Sequence, residues 1–361
     1  MEAVDQDTNT AAQLCKPDRI PEVDWLKGFA IISVLLTHAR PLYGTAVQNY
    51  LIFYGVPILI VLFGVTSELW WRGHRAEGWS STLLLWYRTR LWRLMVPVWG
   101  MLLVWYPLSI VFDPRSPVSP GVVAATAVGY MPWVGTGWFV TLILQLVILF
   151  PFLHLAVDRL GGTPCVLAAA GVFLLSYYFI YDVISLMRIL LLDTPPSGGL
   201  FYYYPFWIFA PARLLPVVAG IMVARHQHVL RWKYAMVAVL LVAIVIAVLT
   251  HAPVSPHWGA CLSDAMAIPL TLLLLVLISG VGVWGPVASA LAWCGRSSWG
   301  IYLGQMIVHN GFHIFGHRLE TSAMANRWVY FVCLFVGAVG FVTIGNAIRQ
   351  IPRNDWIPKR R

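Results

Sequence analysis

The sequence is poor in charged residues, which make up 11% of its 361 positions, whereas hydrophobic residues make up 59%. A water-soluble domain carries about 25% charged residues. With so few polar side chains the chain cannot cover a water-facing surface, so much of that surface must face lipid. The composition therefore excludes an ordinary soluble domain and favours a membrane protein.

The sequence also lacks any clustered cysteine pattern. Its five cysteines are scattered along the chain, at Cys15, Cys165, Cys261, Cys294 and Cys333. No CxxC pair and no His/Cys cluster predicts a metal site, and an odd, dispersed set predicts no disulfide framework. We therefore interpret the cysteines as small buried apolar side chains and expect neither a metal nor a permanently bound cofactor.

Apolar runs long enough to cross a bilayer, about 20 residues each, recur along the chain. They predict an all-α integral membrane protein with a bundle of about ten transmembrane helices. The predicted spans are 25–43, 49–71, 91–112, 137–157, 163–181, 202–224, 233–250, 259–280, 297–316 and 328–348. The segment 121–131 is too short to span and predicts an interfacial or re-entrant helix. One transmembrane domain (21–350) thus lies between a polar N-terminal tail (1–20) and a basic C-terminal tail (351–361).

The basic residues predict the orientation of the bundle. An even number of spans places both termini on one side, and Lys and Arg favour the cytoplasmic face. With cytoplasmic termini, eighteen basic residues fall inside and five outside, Arg213 lying within a span. This distribution predicts a multi-pass protein of the cell inner membrane with both termini cytoplasmic. It also explains the net charge of +9 without a nucleic-acid partner.

The first span carries two polar residues on one face. Lys27 and His38 are eleven residues apart, close to three helical turns, or about 16 Å along the axis. Lys27 is expected near the cytoplasmic end and His38 near the outer end. A polar side chain within a span is costly unless it has a partner or a task. His38 is therefore either a functional residue or a structural histidine with satisfied hydrogen bonds.

A second polar signal precedes the third span. Arg90 and Arg93 are three residues apart, so they face the same way on a helix. Two neighbouring guanidinium groups suit a phosphate or pyrophosphate. The alternative is ordinary anchoring of the cytoplasmic face by basic residues.

Together these segments resemble acyltransferase family 3, the membrane-bound O-acyltransferases that modify sugars, lipids and natural products. The first span of that family typically reads Asp-x-Leu-Arg-Gly-x-Ala, with a histidine eleven residues after the arginine. This sequence is similar at Asp24, Leu26, Lys27, Gly28, Ala30 and His38. The Arg-x-x-Arg of the family, followed by a proline, resembles Arg90, Arg93 and Pro97.

Two later motifs extend the resemblance over about residues 22 to 310. A tryptophan before an apolar helix ending in proline resembles Trp138 through Pro151, and Ser-Tyr-Gly-x-Tyr-Leu resembles Ser298 through Leu303, including Tyr302. Two positions depart from the family pattern. Lys27 replaces an arginine, which keeps the charge but loses the bidentate fork. Gln305 stands where a histidine is common, and His309, one turn further on, is a candidate substitute.

The resemblance implies an acyl-CoA donor, most often acetyl-CoA, that acts as co-substrate and enters from the cytoplasm. Lys27, Arg90 and Arg93 would bind its phosphates. His38 would act as the general base on a hydroxyl of a glycan, lipid-linked sugar or other exported acceptor reaching it from the outer face. Both this donor and the surrounding bilayer are expected partners.

Further charged residues within the predicted spans require partners. A lone arginine at mid-membrane costs at least about 2.5–3.5 kcal/mol, so Arg213 should be paired. Asp264 is one candidate partner, although it is also placed to orient His38. Glu68 is expected to meet the cytoplasmic arginines. The candidates that bind substrate or support the site are Asp24, Trp138, Arg213, Asp264, Tyr302 and Gln305, Asp24 having the alternative role of complementing the helix dipole.

Two alternative functions stay open at this stage. A transporter or flippase of a lipid-linked or glycan substrate is compatible with ten spans, a basic inner face and the charges of Arg213 and Asp264. Many transporters show duplicated halves, which this sequence lacks. A catalytically silent relative that binds acyl-CoA is compatible with the departures at Lys27 and Gln305.

Overall fold

In the computed structural model the described part of the chain is built from helices. It comprises residues 20–39, 41–42, 45–47, 51–74, 78–112, 120–130, 137–179, 182–183, 186, 208–226, 232–251, 256–281, 285–319 and 326–350. The helices are α1 (Pro21–Ala39), α2 (Gly55–Gly73), α3 (Trp79–Phe112), α4 (Pro120–Ala127), α5 (Trp138–Leu160), α6 (Gly162–Tyr178), α7 (Leu214–Arg225), α8 (Trp232–His251), α9 (Pro256–Val281), α10 (Gly285–Arg296), α11 (Ser298–Leu319) and α12 (Arg327–Gln350). Short 3₁₀ helices, Ile52–Tyr54 and Ala210–Arg213, precede α2 and α7. These ranges contain no strand, which confirms the all-α prediction.

Several described helices are suited to a lipid environment. By length and composition, three stretches can cross a membrane, namely Ile52–Gly73, Trp138–Leu160 and Arg327–Ala347. Shorter apolar segments lie at Gly162–Tyr178, Val237–Ile246 and Asp264–Gly280. A helical membrane protein is therefore supported, whereas the number of ten spans and the cytoplasmic termini stay predictions. Apart from Ile20, the two predicted tails lie outside the described residues.

The predicted spans miss the beginning of helix α3 and the whole of helix α10. Helix α3 begins at Trp79 rather than near residue 91, so Arg90 and Arg93 lie well inside it. Its first turns mix apolar and basic residues, and an apolar window therefore misses them. The short helix α10 was not predicted, because twelve residues are too few to span. The expected short helix within 121–131 is present as α4.

The predicted sixth span, 202–224, is not one continuous helix in its described part. A 3₁₀ turn ends at Arg213, and α7 begins only at Leu214. Pro211 contributes to the break because proline lacks an N–H and disrupts the preceding turn. Gln145 of α5 holds the interrupted backbone, since its amide donates to the Ile208 carbonyl at 2.8 Å and accepts from the Ala210 N–H at 3.4 Å. Arg213 therefore lies at a helix start rather than in mid-helix.

Helix α1 occupies a central position because glycines let its neighbours approach closely. It contacts α2, α9, α10, α11 and α12. At the crossing with α10, a Cβ on Gly28 would collide with the Leu291 carbonyl, and a Cβ on Gly295 would collide with the Asp24 carbonyl. Small residues allow such close backbone contact between membrane helices. The glycine of the first-span motif is thus explained by packing, and it fixes the helix that carries Lys27 and His38.

Candidate active site

A cavity of about 220 Å³ lies between α1, α2, α3, α5 and α11. Its polar lining comprises Lys27, Thr66, Arg90, Arg93, Ser298 and Tyr302. Its apolar lining comprises Ile31, Leu59, Phe63, Leu94, Phe139, Ile143, Val147 and Trp299. We call this space the basic cavity. It brings together residues from the first-span motif, the arginine pair and the late motif, which are far apart in the sequence.

A second space adjoins the basic cavity. This groove has a volume of about 410 Å³ and is lined by Arg88, Thr89, Trp92 and Arg93. The exposed Arg93 lines both spaces, so the two meet at its side chain. An elongated ligand that carries negative charge could therefore lie across both of them.

Aromatic rings hold the guanidinium group of Arg90. Its central carbon lies 4.7 Å from the ring centroid of Trp86 and 5.7 Å from that of Trp70. One terminal nitrogen donates to the Thr66 carbonyl at 3.5 Å, while the buried Nε has no hydrogen-bond partner among the described residues. Cation–π contacts fix the group without neutralising its charge.

Four arginines on or beside the described helices fall into two groups. Arg213 pairs with Asp264, and Arg225 pairs with Glu68 at 2.7 Å and with Asp158 at 2.8 Å. In contrast, Arg90 and Arg93 form no ion pair within the described ranges. Among the described residues these two guanidinium groups thus lack a carboxylate counter-ion, which is the arrangement expected of an anion-binding site.

Aromatic residues line the cavity near α11. The buried Tyr302 ring stacks on Trp299, with centroids 5.8 Å apart, and meets Phe139 edge to face at 5.2 Å. Trp299 donates from Nε1 to the Leu94 carbonyl at 3.1 Å, which ties α11 to α3. Trp138 begins α5 and contacts Phe139 at 5.8 Å but does not itself line the cavity. Helix α5 continues past Pro151 to Leu160.

His38 lies near the C-terminal end of α1 and is half-buried. Its Nδ1 is 2.8 Å from the Val34 carbonyl oxygen. A carbonyl can only accept a hydrogen bond, so Nδ1 carries the hydrogen. In the neutral ring, Nε2 is then the nitrogen able to accept a proton.

His38 does not stand alone at this level. Its ring centroid is 5.7 Å from that of His309 on α11, in an edge-to-face arrangement. His309 Nδ1 in turn lies 2.5 Å from the Tyr330 hydroxyl of α12. The sequence had singled out His309 as a substitute for a family histidine, and the structure places it beside His38.

Helices α1 and α11 connect the basic cavity to this histidine pair. On α1, Ile31 lines the cavity and His38 follows seven residues later; on α11, Tyr302 and His309 have the same spacing. Seven residues are two helical turns, or about 10 Å. The two helices therefore run side by side in the same direction from the cavity to the histidines.

Gln305 lies between these two levels on α11. It is fully buried, and neither its amide nitrogen nor its amide oxygen has a hydrogen-bond partner in the described part of the chain. Leaving a buried polar group unpaired costs about 1–3 kcal/mol. Gln305 is thus an unusual side chain for a position that only packs.

Two other candidates lie away from the cavity. Asp264 contacts Arg213 and the hydroxyl of Tyr177, so α9 is tied to α7 and α6. Two partners for Asp264 were considered, Arg213 and His38. The structure shows the contact with Arg213, while the Nδ1 of His38 bonds to a backbone carbonyl. Asp24 is buried in the first turn of α1, against α10, and is not a cavity-lining residue.

A buried charged cluster was missed by sequence reasoning. Glu68 of α2 is fully buried, accepts from Arg225 of α7 and contacts His154 Nδ1 of α5, each at 2.7 Å. Asp158 completes the cluster at the surface end, 2.8 Å from Arg225. The expectation that Glu68 meets an arginine is met by Arg225. His154 was not identified, because its nearer partner Glu68 is 86 residues away; Asp158, four residues on, lies 3.6 Å from its other ring nitrogen.

One comparison with known proteins gave a match that covers nearly the whole described region. A family model for an acyltransferase domain, that of acyltransferase family 3, matches residues 20–346. The matched range contains the first-span residues, the arginine pair, the late motif and the histidine pair. A search among proteins of curated function gave no match.

Proposed function

The chain belongs to acyltransferase family 3, and on this premise we propose that it is an O-acyltransferase using cytoplasmic acyl-CoA, with acetyl as the expected acyl group. The acceptor would be a hydroxyl of a glycan, lipid-linked sugar or other exported molecule. Family membership supports a membrane-bound acyltransferase in general terms. The finer proposal depends on one observation, the meeting of Lys27, Arg90 and Arg93 at one cavity.

The unpaired arginines support an acyl-CoA donor. Coenzyme A carries a pyrophosphate and a further phosphate, and guanidinium groups bind such oxygens through paired hydrogen bonds. Arg93 is exposed between the groove and the basic cavity, whereas Arg90 is fixed over Trp86. We therefore assign the phosphates to this region, with Lys27 adding a third positive charge.

The distance between cavity and histidines suits the shape of this donor. The pantetheine arm of coenzyme A is long and thin, so it can extend from bound phosphates towards a reaction centre further along α1 and α11. The histidine pair lies about two turns, or about 10 Å, beyond the cavity-lining Ile31 and Tyr302. The thioester would then lie near His38 while the phosphates stay at the arginines.

His38 would act as the general base. Its Nε2 accepts the hydrogen of the acceptor hydroxyl as the oxygen attacks the thioester carbonyl carbon. The new C–O bond forms, the C–S bond breaks, and the thiolate of coenzyme A takes up the proton from His38. The Nδ1–H bond to the Val34 carbonyl supports this role, because it orients the ring and fixes the tautomer.

The expected topology completes the proposal. The basic residues favour cytoplasmic termini in a multi-pass protein of the inner membrane. Lys27 and the arginine pair then face the cytoplasm, and His38 lies towards the outer leaflet. Donor and acceptor would approach the same centre from opposite faces.

Thermal unfolding of the detergent-purified protein tests the donor site. A ligand that binds only the folded state raises the melting temperature by mass action. We expect acetyl-CoA to stabilise the wild type and the control variant Arg159→Ala, which removes an exposed charge at the end of α5. An Arg90→Ala/Arg93→Ala variant should lose the effect. Absence of stabilisation at millimolar donor would contradict the proposal.

The same preparation separates the alternative functions. A transporter or flippase would move its substrate in proteoliposomes without any acyl donor. A catalytically silent relative would be stabilised by acetyl-CoA but would transfer no label from it to membrane acceptors. Only the proposed enzyme requires both donor binding and donor consumption.

A further inference from the structure

Two matching rows of side chains face each other across α1 and α11. Ser298, Tyr302, Gln305 and His309 follow the spacing i, i+4, i+7 and i+11, which places them on one face of α11. The same spacing on α1 gives Lys27, Ile31, Val34 and His38. The ends of the two rows meet, since Ser298 and Tyr302 line the basic cavity with Lys27 and Ile31, and His309 contacts His38.

This register fixes the surroundings of Gln305. Along α11, Gln305 comes three residues after the cavity residue Tyr302 and one turn before His309. It has the same position in its row as Val34 has on α1. Val34 and the neighbouring Leu303 and Met306 are buried apolar residues. Side chains on a helix lean towards its N-terminus, which on α11 is the cavity end. The carboxamide therefore lies between the level of the basic cavity and the level of the histidine pair.

The unmet hydrogen bonds of Gln305 indicate a ligand. Among the described residues no group pairs with its buried amide nitrogen or oxygen. Buried polar groups in proteins nearly always find a partner, so an exception needs an explanation, and a bound ligand supplies one. Gln145, by comparison, uses both amide atoms on the backbone at Ile208 and Ala210.

We propose that the Gln305 carboxamide binds the thioester carbonyl oxygen of the acyl donor, with Nε2 donating the hydrogen bond. This inference rests on the proposed function and places the acyl group between the cavity and His38. During attack by the acceptor hydroxyl, negative charge develops on that oxygen. An amide N–H held in a water-poor site stabilises such charge more in the transition state than in the ground state.

The proposal explains how position 305 can carry a glutamine where a histidine is common in the family. A relay of protons is impossible for an amide at neutral pH, but an oxyanion needs only a donor. Proton transfer would then belong to His38, and stabilisation of the oxyanion to Gln305. The two roles are chemically separate, so a glutamine here is compatible with an active enzyme.

Paired melting curves with CoA and acetyl-CoA test the contact, because only acetyl-CoA has the thioester carbonyl. In the wild type we expect acetyl-CoA to stabilise more than CoA at equal concentration. A Gln305→Met variant should keep the CoA shift, lose the additional acetyl-CoA shift and melt, without ligand, no lower than the wild type. The control Gln145→Met should melt lower, because its partners at Ile208 and Ala210 are left unpaired.

The outcomes are distinguishable. An additional acetyl-CoA shift that survives in Gln305→Met, or that is absent from the wild type although CoA binds, would overturn the carbonyl contact. A ligand-free Gln305→Met protein that melts as low as Gln145→Met would assign the amide a structural role instead. Failure of both CoA and acetyl-CoA to stabilise the wild type would overturn the proposed function itself, and the contact with it.

Discussion

His38 of α1 and His309 of α11 meet edge to face, with ring centroids 5.7 Å apart, and His309 continues to the Tyr330 hydroxyl at 2.5 Å. Three helices thus contribute to one polar group, which lies at the histidine end of the two rows on α1 and α11. A polar cluster among membrane helices is costly unless its members serve each other or a substrate. The hydrogen bond from His38 Nδ1 to Val34 leaves a base-competent nitrogen within this group.

Replacing His38 by alanine should abolish most of the activity. Removal of a general base typically lowers the rate by about 10²- to 10⁴-fold, while stabilisation by acetyl-CoA should persist because the phosphates bind elsewhere. Transfer of labelled acetyl groups to membrane acceptors would measure the loss. His74→Ala is the matched control, since His74, directly after the end of α2, makes the same Nδ1 bond to a backbone carbonyl four residues earlier, at 2.7 Å. Equal rates in wild type and His38→Ala would assign His38 a structural role.

Local spacing made part of this site predictable. Lys27 and His38, and likewise Arg90 and Arg93, lie on one helix each, where periodicity alone decides which side chains share a face. The assembly of Lys27, Arg90 and Arg93 around one cavity with Tyr302 was not predictable, because it depends on how α3 and α11 pack against α1. The roles assigned to these residues stay predictions.

Features that depend on long-range contacts were missed. Helix α10 is too short for an apolar window, yet its Gly295 packs on the Asp24 backbone. The helix break before Arg213 is held by Gln145 of another helix, and the partner of His154 lies 86 residues away. Hydropathy reports how apolar a segment is but not which backbone it will contact. For the same reason it gave no indication that Gln305 would be buried without a partner among the described residues.

Lys27 should contribute a positive charge to donor binding rather than the bidentate hydrogen bonds that an arginine makes. Lys27→Arg is therefore expected to bind acetyl-CoA at least as tightly as the wild type, whereas Lys27→Ala should bind it about tenfold or more weakly. A hydrogen bond to a charged group contributes about 1.5–3 kcal/mol, and 1.4 kcal/mol is a factor of ten. Titration of the melting temperature with acetyl-CoA measures the change. An unaltered affinity in Lys27→Ala would exclude Lys27 from the donor site.

The Glu68 cluster should stabilise the fold without contributing to donor specificity. Glu68→Leu leaves His154 Nδ1 without its carboxylate and Arg225 with only Asp158, so the loss should be smaller than the about 3–5 kcal/mol typical of breaking an isolated buried ion pair. We expect a clearly lower melting temperature with an unchanged acetyl-CoA-induced shift. A Glu68→Leu/Arg225→Met variant should recover part of the loss, because no uncompensated charge from that pair remains. No recovery in the double variant would contradict the ion-pair explanation.

The close crossing of α1 and α10 should make Gly28 intolerant of any side chain. An added Cβ would collide with the Leu291 carbonyl, so Gly28→Ala must push the two helices apart or strain them. Overpacking of this kind typically costs about 1–3 kcal/mol. Gly100→Ala on α3 is the control, because nothing lies within 4 Å of its added Cβ and alanine favours a helix over glycine. Thermal unfolding should therefore show Gly28→Ala destabilised and Gly100→Ala unchanged or stabilised. Equal melting temperatures for the two variants would mean that the crossing is looser than the packing of Gly28 against Leu291 implies.

Because α1 carries both Lys27 and His38, a surviving Gly28→Ala protein should also transfer acyl groups more slowly, whereas Gly100→Ala should keep the wild-type rate.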